Sequence, residues 1–214
     1  MKIKWLGHAT FLITSANGTR IMIDPYDPVG VLNYDKINEP ADIVTVSHDH
    51  FDHNNVAAVR GNPEVVKTTA ETKGISFMGI PSYHDETEGK QRGENTIFCF
   101  EADGVKICHL GDLGHELNAK QVTDIGKVDL LFIPVGGFYT IDAKTARRVC
   151  DQLKPRVIIP MHYKNARCKD SPISDVSEFL QGEKNVKQLN TSEIEVKSKE
   201  LTTDTQIMVF EPAL

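Results

Sequence analysis

The apolar positions fall in short runs separated by Gly, Asn, Asp and Pro, a pattern that predicts many strands and few helices. FLIT (11–14) and RIMID (20–24) flank Asn17-Gly18, and TIFCFE (96–101) and VKICHL (105–110) flank Asp103-Gly104. Both dipeptides accept positive φ, so each pair of runs predicts an antiparallel hairpin. Between and after the hairpins the pattern turns to strands followed by helices. DIVTVS (42–47) predicts a strand leading into a helix near 54–60, and VDLLFIPV (128–135) a strand leading into a helix at DAKTARRVCDQLK. In that helix Ala143, Ala146, Val149, Cys150 and Leu153 recur at helical spacing, with Asp142 as N-cap and Pro155 as terminator. RVIIP (156–160) is a further strand, SDVSEFL (174–180) a short helix, and strands near 193–198 and 206–210 close the pattern. No linker, low-complexity tract or fixed-period repeat divides the chain, so one domain over 1–214 is expected.

Composition strengthens the strand reading. Ile and Val number 36 against 13 Leu, with 16 Thr, and β-branched side chains suit a pleated, packed surface; the expectation is sheet-dominated α/β. The formal net charge is −6 and no Lys/Arg run exceeds two residues, so nucleic acid is not an expected partner. Cys99, Cys108, Cys150 and Cys168 show no C-x-x-C spacing and read as reduced thiols of a cytoplasmic protein. In the opening MKIKWLGHATFLITS, Lys2 and Lys4 precede apolar residues, but Gly7 and His8 interrupt the run and no small-residue cleavage site follows. No apolar stretch has the length of about 18 residues that membrane insertion needs.

The chemistry concentrates at strand ends. Three of the eight histidines lie in His48-Asp49-His50-Phe51-Asp52-His53, directly after DIVTVS. His48 and His50 can point to one side of an extended segment and share a cation, while Asp52 and His53, displaced onto the next turn, can reach a second. Three later apolar runs end on His84, Asp112 and His162. His48, His50 and His84 then serve one metal, Asp52, His53 and His162 the other, and Asp112 lies between them, leaving open positions for water. Mixed imidazole and carboxylate ligands suit two divalent ions, Zn²⁺ first, with Mn²⁺ or Fe as alternatives.

H-x-H-x-D-H, a later His, Gly111-Asp112 after a strand and the closing Ile159-Pro160-Met161-His162-Tyr163 resemble the metallo-β-lactamase-fold hydrolase superfamily. The match is closer to its branch of small L-ascorbate-6-phosphate lactonase-like proteins, supported by Leu6-Gly7-His8-Ala9-Thr10, Ile23-Asp24-Pro25 and the segment 134–140. The resemblance covers about residues 1–165 and implies a four-layer αββα sandwich of two mixed sheets flanked by helices, with a dinuclear site at one edge. It carries the same seven ligands onto this chain, but Leu113 stands where the family usually has Thr, so a hydroxyl beside Asp112 is absent. His109 competes with His84 for the third histidine of the first site, with His84 preferred. Asp24 either accepts a hydrogen bond from a ligand imidazole or simply ends its strand, and His8 is either close to the site or a core histidine. Gly137 and Tyr139 contact substrate or form a strand-to-helix turn.

The mechanism this implies is hydrolysis of a small ester, lactone or phosphoester by a metal-bridging hydroxide, with Asp52 orienting or shuttling the proton. No G-x-S-x-G serine motif competes with it. Iron-dependent thiol oxidoreductase or dioxygenase chemistry on the same fold, or metal binding for sensing without turnover, are the alternatives; a full set of ligands favours turnover. His84→Ala is expected to lower the metal content of the purified protein more than His109→Ala does, and elemental analysis giving the reverse order would exchange the two assignments.

Overall fold

A computed structural model describes residues 1–214. The chain begins with β1 (Lys2–Gly7), β2 (Thr10–Thr14), β3 (Arg20–Ile23), β4 (Ile43–Thr45) and β5 (Glu64–Val66). It continues through β6 (Ala70–Thr72), β7 (Ile75–Tyr83), β8 (Glu94–Ala102), β9 (Val105–His109), α1 (Ala119–Ile125), β10 (Leu130–Pro134), α2 (Ala143–Leu153) and β11 (Val157–Met161). The short α3 (Ser177–Leu180), β12 (Val186–Gln188), β13 (Glu193–Glu195) and β14 (Gln206–Val209) complete it. The strands form two mixed sheets, ordered β13-β1-β2-β3-β4-β5 and β12-β14-β11-β10-β9-β8-β7-β6.

Side-chain alternation on the first sheet separates two apolar clusters. Phe11, Ile13, Ile21, Ile23 and Ile43 join the main core cluster of 46 residues, which spans the space between the sheets and continues beyond it. Leu12, Met22 and Val44, one position out of phase, join a second cluster of 12. Phe11 meets Phe132 of β10 across the sandwich, ring centroids 4.4 Å apart. Every residue of β10 and β11 is buried, as central parallel strands covered on both faces should be. Ile125 of α1 and Ala146, Val149 and Leu153 of α2 extend the main core around this sheet. The cover on the outer side of the first sheet is chain without regular structure: Tyr26, Leu32, Tyr34 and Ile37 supply that cluster. The tyrosine hydroxyl of Tyr26 donates to the Asp35 carbonyl at 2.9 Å.

Both predicted hairpins form, β2 with β3 and β8 with β9. Asp142 caps α2 through its carboxylate and the Thr145 amide. The helix expected near 54–60 is only a 3₁₀ turn, Val56–Ala58, with no buried residue and no side-chain cap from Asn55; without a buried face a short apolar run cannot hold a helix. The helix expected over 174–180 starts only at Ser177, because Asp175 Oδ1 takes the Ser177 amide at 2.7 Å and holds the chain in a turn. Helix α1 was not anticipated, although Asn118 and Gln121 form a complete capping box.

Strand direction positions the site. β3 and β4 are parallel, and β1 runs their way because it is two antiparallel steps from β3. In the second sheet β9, β10 and β11 are parallel, and β7 shares their direction by the same two-step rule. The chain therefore leaves β1, β3, β4, β7, β9 and β11 in position to bring His8, Asp24, His48–His53, His84, Asp112 and His162 together at strand ends. Phe132→Ala, at the centre of the sandwich, should cost about 3–5 kcal/mol in urea unfolding, whereas Phe138→Ala, at an exposed position, should stay within about 0.5 kcal/mol.

Candidate metal centre

Ligand atoms of His48, His50 and His84 lie within 4.8 Å of one another, as do those of His48, His53 and Asp112, and those of His8, Asp52, His53 and His162. Asp112 stands between the sets. Its Oδ2 is 3.1 Å from His84 Nε2, 3.3 Å from His162 Nε2 and 3.9 Å from His48 Nε2, and its Oδ1 is 3.2 Å from His53 Nε2. Asp52 Oδ2 faces His8 Nε2 at 3.1 Å and His53 Nε2 at 3.9 Å. The remaining acid of the motif, Asp49, turns away to Asn54 and Lys67. His8, buried, lies against this cluster, its ring 4.1 Å from that of His162. His109 is elsewhere: its Nδ1 accepts the Gly111 amide at 3.1 Å, so its Nε2–H donates to the Ala9 carbonyl at 3.0 Å and no lone pair remains.

Asp24 organises two imidazoles. Buried and at φ 46°, it accepts the Ser47 amide at 2.8 Å, the Ser47 hydroxyl at 2.6 Å and His53 Nδ1–H at 2.9 Å. Because Ser47 gives its single proton to Asp24, its oxygen can only accept from His48 Nδ1–H, at 2.9 Å. One carboxylate therefore fixes the tautomers of His48 and His53 and turns both Nε2 lone pairs inward. Asn95 plays the corresponding part for Asp112, accepting its amide at 2.9 Å while its own amide group donates to Ser82 and to the Leu110 carbonyl. Gly111 lets the chain make this approach: at φ 56° an added Cβ would lie 2.3 Å from Asn95 Oδ1 and 2.7 Å from Ser47 Cβ. Leu113, where a hydroxyl is missing, is fully buried in the core.

These atoms fit a cation. His53 Nε2 and Asp112 Oδ1 are both buried and neither has a hydrogen-bond partner, although they face each other. With His53 neutral, acceptor faces acceptor in a dry interior, which is repulsive unless a cation or an added proton lies between them. The charge states agree with that. Burial lowers His48 to about 3, with the neighbouring His53 adding to the effect, and lowers His8 to about 4, with His162 adding. Burial also lowers His50. Burial works against ionisation of Asp112 and Asp52 too, but for Asp112 the charges of His162 and His53, and for Asp52 those of His53 and His8, outweigh it and hold both carboxyls well below the usual range. His53, against the pull of burial, is raised well above an ordinary histidine by the carboxylates of Asp112 and Asp52.

The centre opens into a cavity of about 360 Å³ whose other walls include Val31, Leu32, Phe51, Arg92, Tyr139 and Ile173. Tyr139 borders it. Gly137 does not; at φ 63° it shapes the turn, and its carbonyl accepts the Tyr139 amide. A larger cavity, about 680 Å³, lies away from the histidines against Phe77, Phe100 and Ile125. Ser47, Asn95 and Arg92 escaped the sequence reading; only Ser47, adjacent to His48, had a positional signal.

A family model described as a β-lactamase superfamily domain matches residues 2–162. The chain belongs to the metallo-β-lactamase superfamily. This superfamily member is 29% identical over 193 residues to a metal-dependent hydrolase of Thermococcus onnurineus, covering 76% of this chain and 84% of the relative. With a metal-dependent hydrolase of Methanoculleus marisnigri it shares 31% identity over 188 residues, covering 76% and 81%. A solved Thermotoga maritima structure, named for a Zn-dependent hydrolase of the same superfamily, matches with a TM-score of 0.78 and 36% identity, over 98% of this chain and 99% of that one. No helix of the superfamily member is long and apolar enough to cross a membrane.

Asp24→Asn should weaken metal binding by roughly 10–100-fold, read by competition with a chromophoric chelator. Wild-type affinity in that variant would mean that His48 and His53 keep their orientation without the carboxylate.

Proposed function

We propose that this chain is a metal-dependent hydrolase of a small-molecule ester, lactone or phosphoester. The observation that carries the reading is the Asp112 carboxylate standing between two sets of inward-turned imidazoles at the floor of an accessible cavity. His48, His50 and His84 would hold one divalent cation, and Asp52, His53 and His162 a second, with Asp112 between. Zn²⁺ best suits this nitrogen and oxygen donor set, with Mn²⁺ or Fe next. Bound there, the ions would supply Lewis acidity, making water a nucleophile near neutral pH and stabilising negative charge in the transition state.

The protein supplies orientation and a proton acceptor. His8 donates Nε2–H to Asp52 and holds that carboxylate at the cavity side of the cluster. Asp52, deprotonated and partly accessible, is the group that takes the proton from the attacking water. Val31, Leu32, Phe51 and Ile173 form apolar walls that limit bulk water around the scissile bond. The volume of about 360 Å³ is in the range of small-molecule sites. The relatives and the Thermotoga maritima protein, all named as hydrolases, support the reading.

The test is metal analysis of the purified protein together with turnover of a lactone panel, bis-p-nitrophenyl phosphate and a glutathione thioester. Asp52→Ala is expected to reduce turnover roughly 10²–10⁴-fold, and His162→Ala to reduce both turnover and metal content. A metal-loaded wild type that turns over none of these, with variants binding equal metal, would refute the hydrolase reading.

A further inference from the structure

We infer that Arg92 is the specificity residue of this cavity and recognises an anionic oxygen group, carboxylate or phosphate, on the substrate. The inference rests on the hydrolase reading for the fate of the bound molecule, and on the geometry of Arg92 for its charge.

Arg92 is the only lysine or arginine lining the cavity of the histidine cluster. Arg20, Arg148, Arg156 and Arg167 pair with carboxylates, and Arg60 and Arg147, which do not line the cavity, donate to backbone carbonyls. Arg92 pairs with no carboxylate. Its guanidinium makes one hydrogen bond, from Nη2 to the Phe138 carbonyl at 3.0 Å, and lies 5.9 Å from the centre of the Tyr139 ring. A guanidinium fixed on one edge by a neutral carbonyl and an aromatic face keeps its charge and its other N–H donors for a ligand.

The loop that carries it is built to hold it still. Asp85, buried and next to His84, uses one carboxylate oxygen for the Thr87 amide (2.7 Å), the Thr87 hydroxyl (2.8 Å) and the Gly89 amide (3.0 Å). Its other oxygen accepts the amides of Gln91 at 2.9 Å and Arg92 at 2.8 Å. The His84 amide closes the loop on the Gly93 carbonyl at 3.0 Å. His84 and Arg92 therefore sit at the two feet of one closed loop: hydrogen bonds fix the Arg92 backbone relative to His84, and the Phe138 carbonyl and the Tyr139 ring direct its guanidinium. Such preorganisation removes much of the entropy cost of engaging an anion, and Arg presents a planar fork matched to carboxylate and phosphate oxygens. The cavity's walls at Val31, Leu32, Phe51 and Ile173 offer no charge. The ligand that fits has a compact, weakly polar body, a hydrolysable bond at the histidines and an anionic end at Arg92.

The experiment is isothermal titration calorimetry of the full-length, metal-containing protein with phenylphosphonate, benzoate and neutral benzyl alcohol, comparing wild type with Arg92→Met and Arg92→Lys. Neither variant alters the Arg92 amide that Asp85 holds, and metal content and melting temperature serve as controls for the fold. At least one anion is expected to bind wild type more tightly than benzyl alcohol does. Arg92→Met should weaken that anion at least tenfold, and Arg92→Lys by less. Loss confined to phenylphosphonate identifies a phosphate reader, and loss confined to benzoate a carboxylate reader. Equal binding of both anions by wild type and Arg92→Met, or no anion binding by wild type, overturns the inference. Anion binding that depends on Arg92, in a protein that turns over none of the ester panel, would remove the hydrolase reading and leave the anion site standing.

Discussion

A group of acceptor atoms that face one another in a dry interior can persist only if positive charge is placed among them. That constraint organises one whole edge of this protein. Asp112 Oδ1 faces His53 Nε2 at 3.2 Å, and Asp24, from behind, spends its oxygens on Ser47 and His53, so that in their neutral forms His48 and His53 carry the proton on Nδ1 and turn a bare Nε2 inward. In the absence of metal the requirement falls on protons, which is why His53 is held so basic beside its carboxylates. The same arrangement that makes the site unfavourable when empty would favour a divalent ion held among these atoms.

Assembling such a group from distant parts of a chain demands a scaffold that brings chain segments out on one side. The two mixed sheets achieve this by parity. Antiparallel neighbours reverse direction and parallel neighbours keep it, so each sheet contributes several strands pointing the same way whatever lies between them. The core that joins the sheets, with Phe11 against Phe132, sets the separation across which Asp24 from one sheet and Asp112 from the other address the same histidines.

Much of this was legible in the sequence, for physical reasons that differ by feature. The hairpins at Asn17-Gly18 and Asp103-Gly104 depend on φ requirements local to two residues, and α2 depends on a buried stripe with a cap; both are short-range signals. The clustering of His48, His50, Asp52 and His53 was legible because side chains close in sequence need little tertiary help to converge, and His84, Asp112 and His162 because each ends an apolar run. What escaped depends on tertiary contact. The 3₁₀ turn at Val56–Ala58 lacks a surface to bury against, and β5, β6 and β12, three residues each, exist only through their neighbours' ladders. Asn95 holds the backbone of a residue 17 positions away, and Asp85 binds no ligand group but winds the loop that carries Arg92. No pattern along the chain announces either.

The irregular cover of the first sheet has a further consequence. Val31 and Leu32 lie in that cover and also border the cavity, and Leu32 packs in the outer cluster as well. The histidines and carboxylates, by contrast, hang from paired strands. The histidine and carboxylate cluster and part of the cavity wall are thus carried by portions of the chain with different tolerance for insertion, deletion and rearrangement. A lineage could lengthen or redraw the cover, and with it the shape of the cavity, while leaving the histidines and carboxylates where the sheets hold them.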